Sequence, residues 1–349
     1  MGLLLLVTFL LRYFFVASAI LNPTDFLALQ SIRKGLHDLP GSTFFSGWDF
    51  TSDPCNFQGV LCDSDKVIAL NLGDPQAGSP GLTGRINPAI GNLSSLTELS
   101  LVPGRVYGSL PSSLSCLVNL QFLAISRNFL SGSIPPELSQ ISGLKTLDLS
   151  YNQLTGSIPS SIGTIPDLSH VLLCHNKLSG GVPVFSSQSL TRLDLKRNKL
   201  SGSIGPSSLP ASLQYLSLSS NQLCGSVVDL FAGLNQLNYV DLSANRFDGV
   251  IPGFIFSFPI TTLQLQRNAF IGPVRPVDQV VIPTVDLSYN RLSGEISPML
   301  STVQTLYLNN NRFTGRVPES FVNGLLGSTI QTLYLQHNYL TGMAINPTA

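Results

Sequence analysis

Charge is scarce in this 349-residue chain: Lys and Arg number 19, Asp and Glu also 19, and together they make up only 11 % of residues. Nucleic acid or a strongly acidic partner would call for an overall basic surplus, and a net charge of zero suggests neither. Long apolar runs are also rare. After the first 19 residues nothing approaches the roughly 18 consecutive apolar residues that cross a bilayer, so the mature chain is expected to carry no membrane span. The four histidines and five cysteines are scattered. They offer no tetrahedral ligand set at close spacing, which leaves no metal or other cofactor to expect.

What the chain has in abundance is one phrase, L-x-x-L-x-L-x-x-N-x-L-x-G-x-I-P. Leu144-KT-Leu147-D-Leu149-SY-Asn152-Q-Leu154-T-Gly156-S-Ile158-Pro159 carries it in full, and the stretch from Leu120 to Pro135 nearly so. Its asparagine returns at 128, 152, 176, 198, 221, 245, 268, 290, 311 and 338, in steps of 21 to 27 residues. That is the period of a leucine-rich repeat. In L-x-L the leucines alternate with polar residues, so a short strand buries one face and shows the other. No single repeat can cover its apolar face; stacked, the repeats build a continuous leucine column and a long parallel sheet. An amide turning inward after each strand must be hydrogen-bonded, which predicts an asparagine ladder between neighbouring coils.

The second half, L-x-G-x-I-P, resembles the plant-specific subfamily of these repeats. That resemblance implies an α/β solenoid with a concave parallel β-sheet, a second set of short strands on its flank, 3-10 turns and an N-terminal helical cap. Gly lets the backbone bend and Pro ends local pairing; Pro111, Pro135, Pro159, Pro183, Pro252 and Pro318 hold the place, while Gly205 and Ser297 depart from it. The expected order is a signal peptide at 1–19, a cap at 20–66, about twelve repeats at 67–343, and a short tail at 344–349 with the C-terminal cap absent or truncated. The signal ends in Ala17-Ser18-Ala19. In the cap, Thr24 or Asp25 is placed to start a helix whose apolar face is Phe26, Leu29, Ile32 and Leu36. Asp53 to Cys62 is similar to the family's D-x-C-x-W-x-G-V-x-C, with Phe57 in the aromatic place. That match implies a Cys55–Cys62 disulfide in a secreted protein. Asn92-Leu93-Ser94 is a glycosylation sequon. Gly73 to Gly81 and Gly104 interrupt the repeat and are expected to form a protruding edge.

Catalysis finds no constellation. His170 and Cys174 lie about 13 Å apart along an extended strand, too far to share a proton. Cys174 reads as a surface cysteine beside Lys196, and Cys116, Cys174 and Cys224 as unpaired thiols. Asp148, Asp194, Asp241 and Asp286 recur at one outward strand position about 9 to 10 Å apart, but nothing encloses a sugar between them. The chain is not expected to be an enzyme.

The concave face remains. Its outward positions include Arg127, Tyr151, His170, His175, Arg192, Asp194, Lys196, Arg197, Tyr215, Tyr239, Arg267, Tyr289, Tyr307 and Tyr334. Six of the nine tyrosines stand there, and Tyr and Arg are the residues that most often anchor interfaces. Arg127, His175, Arg192, Lys196 and Arg197 form a basic cluster suited to an acidic peptide, a carboxylate or pectin. Its affinity is expected to rise below about pH 6.5 as the histidines charge. The resemblance to receptor-like proteins, receptor-like kinase ectodomains and polygalacturonase-inhibiting proteins implies a secreted, cell-wall or surface-associated recognition protein for a peptide or protein in plant signalling or defence, with a membrane co-receptor kinase as a further partner. The alternatives are inhibition of a microbial polygalacturonase and a wall structural protein that binds polysaccharide.

Overall fold

The computed structural model describes residues 21–73, 81–101 and 103–343. The expected signal peptide and tail, and most of the Gly73 to Gly81 interruption, lie outside these residues. No described helix is long and apolar enough to cross a membrane.

Thirteen strands form the concave sheet. The first, Val60–Asp63, runs antiparallel to Lys66–Leu72, and from there every neighbour is parallel through Glu98–Leu101, Phe122–Ala124 and onward to Thr332–Tyr334. Register is held residue for residue, as in His170↔Arg192, Arg192↔Tyr215 and Tyr215↔Tyr239. A repeat of nearly constant length returns each coil to the same place, so equivalent side chains stack in rows. Further short strands, many built on x-L-x-G, form three sheets on the flank, of five, four and four strands. The convex side carries single turns of 3-10 helix such as Ser112–Cys116, Pro136–Gln140 and Ser160–Thr164, entered through Pro111, Pro135 and Pro159. Proline's fixed φ suits that entry, and its missing N–H is no loss where a helix begins.

The core is the leucine column. Leu144, Leu147, Leu149 and Leu154 of one repeat are all fully buried, and the same holds coil after coil. The expected ladder is present. Asn152 accepts from the backbone N–H of Leu130 in the previous coil at 3.0 Å and donates to the Ile125 carbonyl there at 2.7 Å. Asn198 repeats this with Leu178 and Leu173, each at 3.0 Å.

The cap differs from expectation at its first turn. Asn22, not Thr24 or Asp25, caps the helix Pro23–Gly35 by accepting from Thr24 N–H at 3.0 Å. Asp25 turns inward instead, fully buried, accepting from Val67 N–H at 3.0 Å and facing Lys66 Nζ at 3.5 Å. It ties the helix to the strand Lys66–Leu72. Cys55 and Cys62 are joined by a disulfide, and Trp48 stacks on Phe57 at 5.3 Å while donating its Nε1–H to the Gln58 carbonyl at 3.1 Å. Gly104 does not protrude. A Cβ there would stand 2.6 Å from the Leu82 carbonyl oxygen, so glycine is what lets two coils approach.

The concave face as candidate functional site

At every ladder asparagine from 128 to 338 the preceding residue is left-handed, with φ between +52° and +60°, although none of the ten is glycine. Arg127, Tyr151, His175, Arg197, Arg267 and Tyr289 are among them. A left-handed non-glycine residue costs roughly 1 to 2 kcal/mol. The asparagine that follows makes three or more hydrogen bonds at about 1 kcal/mol each, which offsets the cost. The turn therefore fixes where these large side chains leave the backbone, and stacking of coils sets them in a row.

Rows become ladders of rings and guanidinium groups. The Arg127 guanidinium lies 4.4 Å above the Tyr151 ring, and Tyr151 stacks on His175 at 4.0 Å. One row across, Arg192 lies 4.1 Å above Tyr215, which stacks on Tyr239 at 4.5 Å and 4°. Arg267 covers Tyr289 at 4.9 Å, and Tyr307 stacks on Tyr334 at 5.0 Å. The structure thus brings most of the expected site residues into four stacks along one surface.

Four acids on this face are spent locally. Asp148, Asp241 and Asp286 each accept from the N–H and hydroxyl of the serine two residues on, with hydroxyl contacts of 2.6 Å. Asp194 corrects the expectation of an outward contact residue: it is only 4 % exposed, accepts from Lys196 N–H and pairs with Lys196 Nζ at 3.3 Å. Among the described residues that pair and Lys66–Asp25 are the ion pairs. Arg127, Arg192, Arg197 and Arg267 are left with no carboxylate. A guanidinium packed over a ring keeps N–H donors free for a further partner. Ser217, between Asp194 and Asp241 in register, has a buried hydroxyl with no partner.

Titration behaviour follows the cations. Burial and Arg192 hold His170 below the usual histidine range, and burial, then Arg197 and Lys196, do the same to His175. Charging of these imidazoles at pH 6.5 is therefore not what the face does; its positive charge comes from arginine. For Lys196, burial opposes the charge, but the attraction and hydrogen bond of Asp194 outweigh it and the pKa rises. Burial and Asp241 push Tyr239 up to about 12. Cys174 is buried, not on the surface, and burial followed by Asp194 pushes its thiol up to about 11, so Lys196 does not stabilise a thiolate. Among the described residues no three His, Cys, Asp or Glu side chains are grouped to hold a metal.

Sequence reasoning missed two exposed aromatics on the flank, Tyr107, which Arg85 covers at 5.2 Å, and Phe129. It also missed a pocket on the cap lined by Arg33, Lys34, His37, Trp48 and Phe50. The signal available for the pocket was a helix ending in Arg33-Lys34 close in sequence to the single tryptophan.

One parallel sheet bounded by an asparagine ladder, with flank strands and a disulfide-bonded helical cap, defines a leucine-rich repeat solenoid. The chain is a leucine-rich repeat protein, and its relatives are plant receptor-like proteins. It matches the leucine rich repeat N-terminal domain family over residues 22–63 and leucine rich repeat families over 119–141, 143–165, 188–247 and 302–323. It is similar to Receptor like protein 22 of Arabidopsis thaliana, 32 % identical over 143 residues that make up 39 % of this chain and 18 % of that protein. It thus spans less than a fifth of that relative's length. Among solved structures it resembles the plant peptide hormone receptor RGFR1 in complex with RGF2, at 30 % identity and a TM-score of 0.69 over 78 % of this chain and 44 % of that one. It also resembles a plant ice-binding protein, at 27 % identity and a TM-score of 0.65 over 95 % and 100 %.

Proposed function

We propose that the chain is an extracellular recognition protein whose concave face binds a peptide or protein segment carrying carboxylates or other anionic groups. One observation carries this reading: three arginines sit over tyrosine rings with no ion-pair partner among the described residues. Exposed, pre-oriented guanidinium groups favour planar anions that accept two hydrogen bonds. The tyrosine stacks beside them supply apolar area of the kind that anchors interfaces. The likeness to a peptide hormone receptor solved with its ligand supports the same use of the fold. Two narrower partners, pectin and a microbial polygalacturonase, would meet the same cations. Selection of random peptides on the secreted protein tests the reading. Enriched peptides should be rich in Asp and Glu and be displaced by one another; enrichment blind to acidic residues would contradict it, and displacement by oligogalacturonide would favour the polysaccharide.

A second reading, ice binding, is favoured by the end-to-end match to a plant ice-binding protein and by a flank row of exposed serines, Ser109, Ser133, Ser157, Ser203 and Ser226. Ser109, Ser133 and Ser157 each pack beneath the glycine of the next coil, as Ser109 does at Gly132, where a Cβ would stand 3.5 Å away. Inhibition of ice recrystallisation that survives arginine replacement on the concave face, but not Ser133→Lys with Ser157→Lys, would select this reading.

A further inference from the structure

A concavity of about 610 Å³ lies on the cap, between the last turns of the helix Pro23–Gly35 and the segment around Trp48. Its wall is cationic. Arg33 is held in place, donating through Nη1 to the Leu36 carbonyl at 3.1 Å and lying 4.7 Å over the Phe45 ring. Lys34 and His37 are exposed beside it. The acids near in sequence are occupied elsewhere: Asp38 accepts from Ser42 Oγ and from the N–H groups of Phe44 and Phe45, and Asp49 from Thr51 and Ser52. Neither Arg33 nor Lys34 has an ion-pair partner among the described residues.

The floor is aromatic. Trp48 is fixed by its bond to Gln58 and its stack on Phe57. Phe50 stands edge-on to Phe26, Trp48 and Phe57, and its backbone is left-handed at φ 59°. A large residue persists in that conformation only where its surroundings over-determine it, and such residues gather at binding sites.

We propose that this pocket is a second binding site, for a small organic anion that joins a carboxylate to an aromatic ring. The carboxylate faces Arg33, Lys34 and His37, and the ring lies against Phe50 above the buried Trp48. The volume falls within the range of roughly 300 to 1,000 Å³ typical of small-molecule sites. Six lining residues are too few for a protein partner, whose interface needs about 800 Å² on each side. The site is separate from the concave face and independent of the reading given to it.

Trp48 is the only tryptophan in the chain, so its fluorescence reports on this pocket alone. The test titrates the full secreted chain with benzoate, with neutral benzyl alcohol, and with sulfate, following Trp48 emission and heat in parallel. Benzoate should give a saturable response, with benzyl alcohol and sulfate each at least tenfold weaker. Lys34→Gln with His37→Gln should weaken benzoate at least fivefold while leaving the urea midpoint unchanged, because neither side chain supports the core. Silence in both fluorescence and calorimetry up to about 10 mM benzoate overturns the proposal. So does an equal response to benzyl alcohol or sulfate, or an unaltered affinity in the double variant.

Discussion

Ala244 shows how closely single residues are bound to the repeat. It occupies the left-handed turn before Asn245 at φ 52°, with no side chain to reward the strain. Relief of a roughly 1 to 2 kcal/mol conformational cost should exceed the roughly 0.5 to 1 kcal/mol of extra chain entropy that glycine loses. Ala244→Gly is therefore expected to raise stability in urea by up to about 1 kcal/mol; a loss of stability would mean that the turn is not strained there. Asn198→Leu acts in the opposite direction. It leaves Leu178 N–H and the Leu173 and Leu195 carbonyls without their partner and should cost roughly 1 to 3 kcal/mol, measured the same way. The two histidines set a pH dependence of definite sign. Their folded pKa values are depressed, so below the unfolded value near 6.5 the unfolded chain takes up protons that the folded chain resists. Their contribution is intact above that pH and is lost as pH falls through the depressed values. Replacing both by Gln should flatten the fall of melting temperature over this window, and an unchanged slope would assign it to carboxylates instead.

Single elements were legible wherever one residue does one job. The L-x-L strands and the asparagine ladder follow from alternation and amide satisfaction, and the structure holds both. Leu147→Asp should accordingly cost several kcal/mol and reduce the yield of folded protein, since the side chain has no exposure and no partner for a charge. Normal yield with an unchanged melting transition would be incompatible with a leucine column. Elements were misread where two neighbours competed for one role. Asn22 took the helix cap because Asp25 is drawn inward by Val67 N–H, a contact made 42 residues away that local sequence does not reveal. Gly104 was read as an edge for the same reason, since the approach of Leu82 is a contact between coils. Cys174 follows the strand and was read as outward, yet stacking of coils buries it. Alkylation of the native protein, read by mass spectrometry, should label Cys116 fast and Cys174 only on unfolding; equal rates would contradict the burial.

At the scale of the molecule, a constant repeat length turns sequence positions into spatial rows, so the membership of the concave face could be read from the chain. Its electrostatics could not. The sequence suggested a basic cluster charged in part by histidine. The structure instead suppresses His170 and His175 and leaves arginines lying over tyrosines one coil away. Arg127 and Tyr151 are 24 positions apart, and only the closing of one coil brings them face to face. The central claim is that these ring-seated guanidinium groups recognise an anion. It is tested most directly by the affinity of a selected acidic peptide, measured across a salt series for the secreted protein and for Arg127→Gln, Arg192→Gln and Arg267→Gln combined. The account predicts a loss of more than tenfold at low salt, a flatter salt dependence and an unchanged melting temperature, because none of the three supports the core. Affinity and salt dependence that are indifferent to the triple replacement would contradict it.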